Sequence, residues 1–252
     1  MNTLENTKPI IEDYEKKVAQ LDFQIESYDF LNSGNNPYSF AGKMHNDCLD
    51  YLIKKEAGST IKKLILSAAD FYVTNDNGFI KKFDDSFIEK LSLSSETFFL
   101  EIKKKSTIDL EIIKLLKCNK SMTSELLWLL DSILNFNILF DSFTNKIEEL
   151  NQWELKIKNS NYNNETQIPL LMSSAIARYS FHYWYHNYET NNFKKTDRKK
   201  KCLQTTFTVA ADVIGTAGGA VAGFTAGGPV GAVVGGVVMG GAMSGAAYSI
   251  FT

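Results

Sequence analysis

Through residues 1–201 the apolar positions recur at helical spacing, and no run alternates with period two. Ile11, Tyr14, Val18, Leu21, Ile25 and Phe30 predict an amphipathic helix over 8–31. The turn cluster Asn32-Ser33-Gly34-Asn35-Asn36-Pro37 ends it. A second helix starts near Ser39, which can serve as an N-cap, and carries Phe40, Met44, Cys48 and Leu52 on one face. After Gly58-Ser59 a third runs from Thr60 to Val73. Asp84-Asp85-Ser86 caps a helix with Phe87 and Leu91, then Phe98, Phe99 and Ile102, and Ser106-Thr107 precedes another.

Residues 123–158 read as one long helix or two. The first half, ELLWLLDSILNFNILF, is apolar nearly all round. Asp131, Asn135 and Asn137 interrupt it, so a core helix is expected there and not a membrane span. An Asn-rich loop follows at 159–164, then a helix over 166–190 crowded with aromatics. The body, 1–192, therefore reads as an all-α multi-helix bundle of six or seven helices.

The pattern changes past a basic run at 193–202. Over 203–252 the chain is Gly, Ala, Val and Thr, with Asp212 as its one charge. Gly215, Gly219, Gly223, Gly227, Gly231 and Gly235 keep one four-residue register, and Gly236 and Gly240 follow in another. That spacing puts small residues on one helical face, where two backbones can approach closely. Glycine weakens a helix in water by about 1 kcal/mol relative to alanine, so close packing has to compensate. Gly227-Gly228-Pro229 divides the segment into arms of about 36 Å and about 34 Å as helices, each matching a bilayer core. A Gly/Ala-rich helical hairpin is expected. It is a constitutive anchor, a conditional self-associating insertion module, or a hairpin packed on the bundle.

Charge refines this picture. Lys194, Lys195, Arg198, Lys199, Lys200 and Lys201 directly precede the apolar tail, where such clusters hold one end against anionic headgroups. Asp212 within the first arm is a candidate pore-lining group or pH trigger, or lies at the headgroup boundary. Net charge is −2, which gives no electrostatic case for a nucleic-acid partner. The polar, acidic N-terminus lacks the pattern of a secretory signal. Cys48, Cys118 and Cys202 form no disulfide framework and fit synthesis in a reducing cytoplasm.

Candidate chemistry is sparse. His182 and His186 share a helical face at i, i+4, as half a zinc site would, and His45 has Cys48 and Asp50 nearby as a fourth ligand. No Glu lies between the helical pair, and packed histidines explain the same residues, so no cofactor is expected. Tyr179, Tyr183, Trp184, Tyr185 and Tyr188 suit a membrane interface or a bundle core equally. No Walker loop, nucleophile elbow, dinucleotide fingerprint or CxxC pair occurs, so no enzyme is expected.

The stretch N-P-Y-S-F-A-G-K-M-H-N (Asn36 to Asn46) resembles an N-P-Y-x-x-x-G-x-x-H-N pattern in uncharacterised bacterial proteins. S-A-I-A-R-Y-S-F-H-Y-W (Ser174 to Trp184), then A-A-D-V-I-G-T-A-G-G-A and G-G-P-V-G-A, resemble their C-terminal part. That resemblance implies no function and no site residues. The tail is also similar to the glycine-zipper hairpins of bacteriocin-like membrane-active proteins. The expectation is a membrane-inserting protein, pore-forming or permeabilising as a toxin or effector, that self-associates through its tail. It is membrane-associated, or exported by a signal-independent machine, and a protein partner or chaperone masks the tail beforehand. The alternative is a non-enzymatic anchored or docked interaction module; a metal-dependent enzyme comes third.

Overall fold

The computed structural model describes residues 36–56, 59–75, 89, 100, 116, 118–136, 142–189 and 195–251. Asn35–Thr252 form one compact unit. The helix expected over 8–31, and nearly all of those expected over 84–102 and after Ser106-Thr107, lie outside the described residues.

Among the described residues the fold is all-α. It is a bundle of six helices: α1 Ser39–Glu56, α2 Ile61–Asn75, α3 Lys120–Leu134, α4 Phe143–Lys158, α5 Asn164–Glu189 and α6 Lys195–Phe251. The apolar stretch over 123–158 resolves into two helices. Asn135, expected inside an apolar helix, is the C-cap of α3, and Ser142 N-caps α4 by accepting from the Asn145 amide at 3.3 Å. Asn119 caps α3 and also donates to Thr166 Oγ1 at 2.7 Å, so one side chain ties the starts of α3 and α5 together. Pro169 lies in the second turn of α5. Its missing N–H leaves the Glu165 carbonyl without a helical donor, at an exposed residue where water can serve it.

The aromatic-rich α5 and the glycine-rich α6 form the most extensive contact, α1 packs on both, and α2 packs on α6. The core is therefore built around the tail. Val209, Val213, Ile214, Ala217, Val237, Val238 and Ala242 are among its most buried residues.

Helix α6 runs for 57 residues, with non-helical backbone only at Gly227 (φ −149°, ψ 20°) and Gly228 (φ 62°, ψ −149°). A straight helix would hold Gly219 and Gly235 about 24 Å apart. Their backbones instead touch, since a Cβ placed on Gly219 would lie 2.0 Å from the Gly235 carbonyl oxygen. The chain reverses at Gly227-Gly228, and the positive φ at Gly228 is a conformation that glycine takes without steric cost. The run expected as a basic linker is helical from Lys195 onward and forms the first turns of α6.

Candidate functional site

The two arms of α6 meet along a seam of glycine backbones. Gly223 faces Gly231, Gly219 faces Gly235, and Gly215 faces Met239 and Met243. A Cβ on Gly223 would sit 1.9 Å from the Gly231 oxygen, and one on Gly231 would sit 2.2 Å from the Gly223 oxygen. No side chain fits between such backbones. The second register turns elsewhere: Gly236 against Met172, Gly240 against Thr216, Ile176 and His45, and Gly241 against Cys48. Of the glycines expected for self-association, Gly215, Gly219, Gly223, Gly231, Gly235 and Gly240 are thus engaged within one molecule, while nothing lies within 4 Å of a Cβ placed on Gly227. The reversal itself, Gly227 to Val230, is mostly solvent-facing, with Val230 62% exposed.

Beneath this seam lies a polar pair. Asp212 and His45 are both 0% exposed, with His45 Nε2 3.6 Å from Asp212 Oδ2. The expectation of a headgroup position for Asp212 does not describe this structure, where protein surrounds it. Ser180 of α5 donates to Asp212 Oδ2. Ser244 of the second arm faces the same carboxyl without reaching hydrogen-bond geometry. His45 Nε2, Asp212 Oδ1 and Ser244 Oγ are left unpaired by other protein atoms.

The protonation of His45 follows from its neighbours. Asn46 Nδ2 donates to the Tyr179 carbonyl at 3.0 Å, which fixes the amide and turns Asn46 Oδ1 toward His45 Nδ1 at 3.1 Å. An amide oxygen only accepts, so Nδ1 carries the proton and Nε2 presents a lone pair to Asp212. Burial holds the Asp212 carboxyl well above its usual value, so the carboxyl keeps its proton, the imidazole is uncharged and the pair is neutral as a unit. Burial drives the His45 pKa down from 6.5 to about 4, partly offset by Asn46 and by the Gly240 backbone.

A second buried pair anchors the start of α1. Arg178 and Glu154 are both 0% exposed, with Nε donating to Glu154 Oε1 at 3.1 Å. Arg178 Nη2 donates to Ser39 Oγ at 3.1 Å. Asn36 Nδ2 reaches Glu154 Oε1 at 2.8 Å and the Leu171 carbonyl at 2.7 Å, while its own Oδ1 accepts from the Tyr38 amide. The Asn-Pro-Tyr turn is thus a plug that ties α1, α4 and α5 together. Ser39 is the first residue of α1, its hydroxyl donating to the Asn36 carbonyl. Sequence reasoning did not single out Glu154, Arg178 or Ser180, and read Asn36 only as part of a turn. The signal available was Arg178, a charge within the apolar run Leu170 to Phe181.

Other cross-links hold the tail in place. Ser173 Oγ donates to the Val213 carbonyl at 3.2 Å, and Tyr72 OH lies 3.4 Å from the Val237 carbonyl and 3.1 Å from that of Met44. Gly42 lets α1 approach α5, since a Cβ there would meet the Tyr179 ring at 2.3 Å.

The candidate metal ligands are dispersed. His45 faces Asp212, Cys48 lies against Gly241 and Tyr72, and Asp50 accepts from Tyr183 OH at 2.7 Å. Burial pushes the Cys48 thiol up to about 12, so it is a packed neutral group. His182 is half-buried on α5, and the His186 side chain lies outside the described residues. Among the described residues no three His, Cys, Asp or Glu side chains group as metal ligands. Lys195, Arg198, Lys199, Lys200 and Lys201 belong to the first turns of α6, and Lys194 lies outside the described residues.

Gln204–Tyr248, 45 residues, is long and apolar enough to cross a membrane by length and composition, yet 89% of its most apolar window is buried inside the protein. No family model, no curated protein and no solved structure matches this chain.

Proposed function

We propose that this is a membrane-active helical protein whose body stores a glycine-zippered hairpin until it enters a bilayer and permeabilises it. The observation that carries the reading is the burial, among the other helices, of an apolar segment long enough to cross a membrane and with Asp212 as its one charge. Helices at the surface of a globular protein are amphipathic, whereas this one carries no charge after Asp212, as central core helices and membrane spans do. The arms are already paired through glycine backbones, so they can leave the sheath as a unit without breaking their own contacts. The basic run at the start of the first arm then holds that end among anionic headgroups. The solvent-facing, uncharged reversal around Pro229 and Val230 enters first.

The test is co-flotation and dye release with anionic phosphatidylglycerol vesicles, using the full chain at neutral and acidic pH. Release with α6 protected from protease supports the reading. Absence of both binding and release at every pH that leaves the helices folded overturns it.

A second reading keeps the tail in the core permanently and makes the body an interaction module. The bonds from Ser173 and Tyr72 to α6 carbonyls favour it, because they fix the tail to its sheath. Under that reading vesicles never bind, and backbone amides on both arms exchange only with global unfolding.

A further inference from the structure

We propose that the end of the bundle where α1 stops and α2 and α6 begin is a docking surface for the anionic headgroups of a phospholipid bilayer, used while the hairpin is still enclosed. The packing brings these three helix ends together. Along the second arm, Gly241 lies against Cys48 of α1 and Tyr72 of α2, and Gly245 lies against Leu52 and Leu64. A turn further on, Tyr248 stacks on Trp184 of α5 at 5.5 Å. Lys54 and Lys55, exposed in the last turn of α1, follow Leu52 toward that level. Lys62 and Lys63, exposed at the start of α2, precede Leu64 and reach it from the other direction. The arms are antiparallel, with Gly219 on Gly235 and Gly215 on Met243, so α6 also starts at this end. Five of its first seven residues are Lys or Arg.

Charge and chemistry pick the partner. Nine cationic residues gather at this end against four acidic ones, Asp50, Glu56, Glu189 and Asp197, although the whole chain carries −2. The rest of the molecule is therefore net acidic. Lys54 and Lys55 suit the C-terminus of α1, but helix stability does not account for the others. Lys62, Lys63 and the basic residues of α6 lie at helix N-termini, where the macrodipole disfavours positive charge, and α2 has no acidic residue in its first turn. Beside the lysines stand groups that suit the boundary between water and hydrocarbon. Leu66 is 47% exposed one turn from Lys62, and the rings of Tyr183, Trp184 and Tyr248 are half-buried. A nucleic-acid backbone would satisfy the lysines and leave Leu66 in water, whereas an anionic bilayer surface takes both. In this pose the reversal at Gly227-Gly228 stands at the far end of the arms, about 30 Å from Tyr248. Docking and tip-first entry are thus separate steps, and docking does not rest on the hairpin's exit.

The experiment is co-sedimentation of the full chain with dye-loaded vesicles of mixed phosphatidylcholine and phosphatidylglycerol at neutral pH. Lys54→Gln with Lys62→Gln removes two charges from this surface. Lys120→Gln with Lys158→Gln removes two from the opposite end, where α3 starts and α4 stops beside the start of α5. All four positions are exposed, so both variants should keep the wild-type circular dichroism. The first pair should weaken binding by about tenfold, with about thirtyfold the ceiling for two lysines at a charged surface, and the second should stay within about twofold. Salt of about 1 M, which screens charge beyond about 3 Å, should release the wild type. Equal losses in the two pairs, binding that survives the salt, or no binding at all overturns the proposal. So does displacement from the vesicles by an RNA oligonucleotide at equal phosphate, which would make this a nucleic-acid site. Salt-sensitive binding without dye release sustains docking and counts against permeabilisation. Release and binding both undiminished in Lys54→Gln with Lys62→Gln would do the reverse.

Discussion

Replacing Gly223 by alanine sets two effects against each other. In an unpacked helix the change stabilises by about 1 kcal/mol, because alanine has less backbone entropy to lose. In this fold the new methyl would lie 1.9 Å from the Gly231 oxygen, 2.5 Å from its carbonyl carbon and 3.1 Å from the Ala232 nitrogen. All three are backbone atoms of a packed helix, so no rotamer change relieves the contact. Ordinary contact requires the arms to separate by about 1.5 Å, and a gap of about 1 Å already forfeits a quarter to a half of each dispersion contact along the seam. Overpacking of this kind costs about 3 kcal/mol at its upper end, so the net loss is about 2 kcal/mol after the propensity gain. For a unit of this size that is a fall in Tm of about 4–8 °C. The assay is urea unfolding followed by circular dichroism, with the midpoint compared at constant slope. Gly227→Ala is the control. Nothing lies within 4 Å of its added Cβ and its φ of −149° suits any residue, so its stability should stay within about 0.5 kcal/mol of wild type. If Gly223→Ala is as stable as Gly227→Ala or more so, the arms do not meet at Gly223 and the seam is wrong.

Three further outcomes are expected. Arg178→Met alone or Glu154→Leu alone should cost about 3–5 kcal/mol in denaturant titrations, because each strands a buried charge, while the double variant should recover most of the loss. The His45 shift runs downward, so the unfolded chain binds the proton first: its contribution is full above about pH 6.5, declines as pH falls toward 4, and totals about 3 kcal/mol, measured as the pH-dependent difference in stability between wild type and His45→Gln. Gly42→Ala should cost about 2 kcal/mol, because its Cβ would meet the Tyr179 ring at 2.3 Å and the Ala175 oxygen at 2.7 Å, whereas Gly218→Ala, opposed most closely by the flexible Leu116 tip at 2.9 Å, should be neutral or stabilising by the same assay.

Helical periodicity and turn signals placed α2 and α5 to within two residues at each end and the start of α1 near Ser39, because a 3.6-residue repeat of apolar positions has one inexpensive way to be buried. The four-residue glycine register and the Gly-Gly-Pro divider were equally local signals, and the close backbone approach and the turn at Gly228 are their physical counterparts. What faces those glycines was not local. The same register serves two copies of the chain in a membrane or two arms of one chain in a core, and only the fold puts Gly219 against Gly235 and Gly240 against His45. Asp212 shows the limit most clearly. A lone carboxyl in an apolar stretch says that something must neutralise it, but a histidine 167 positions earlier and a serine 32 positions earlier are chosen by how α1 and α5 cross α6, and no sequence periodicity encodes that crossing.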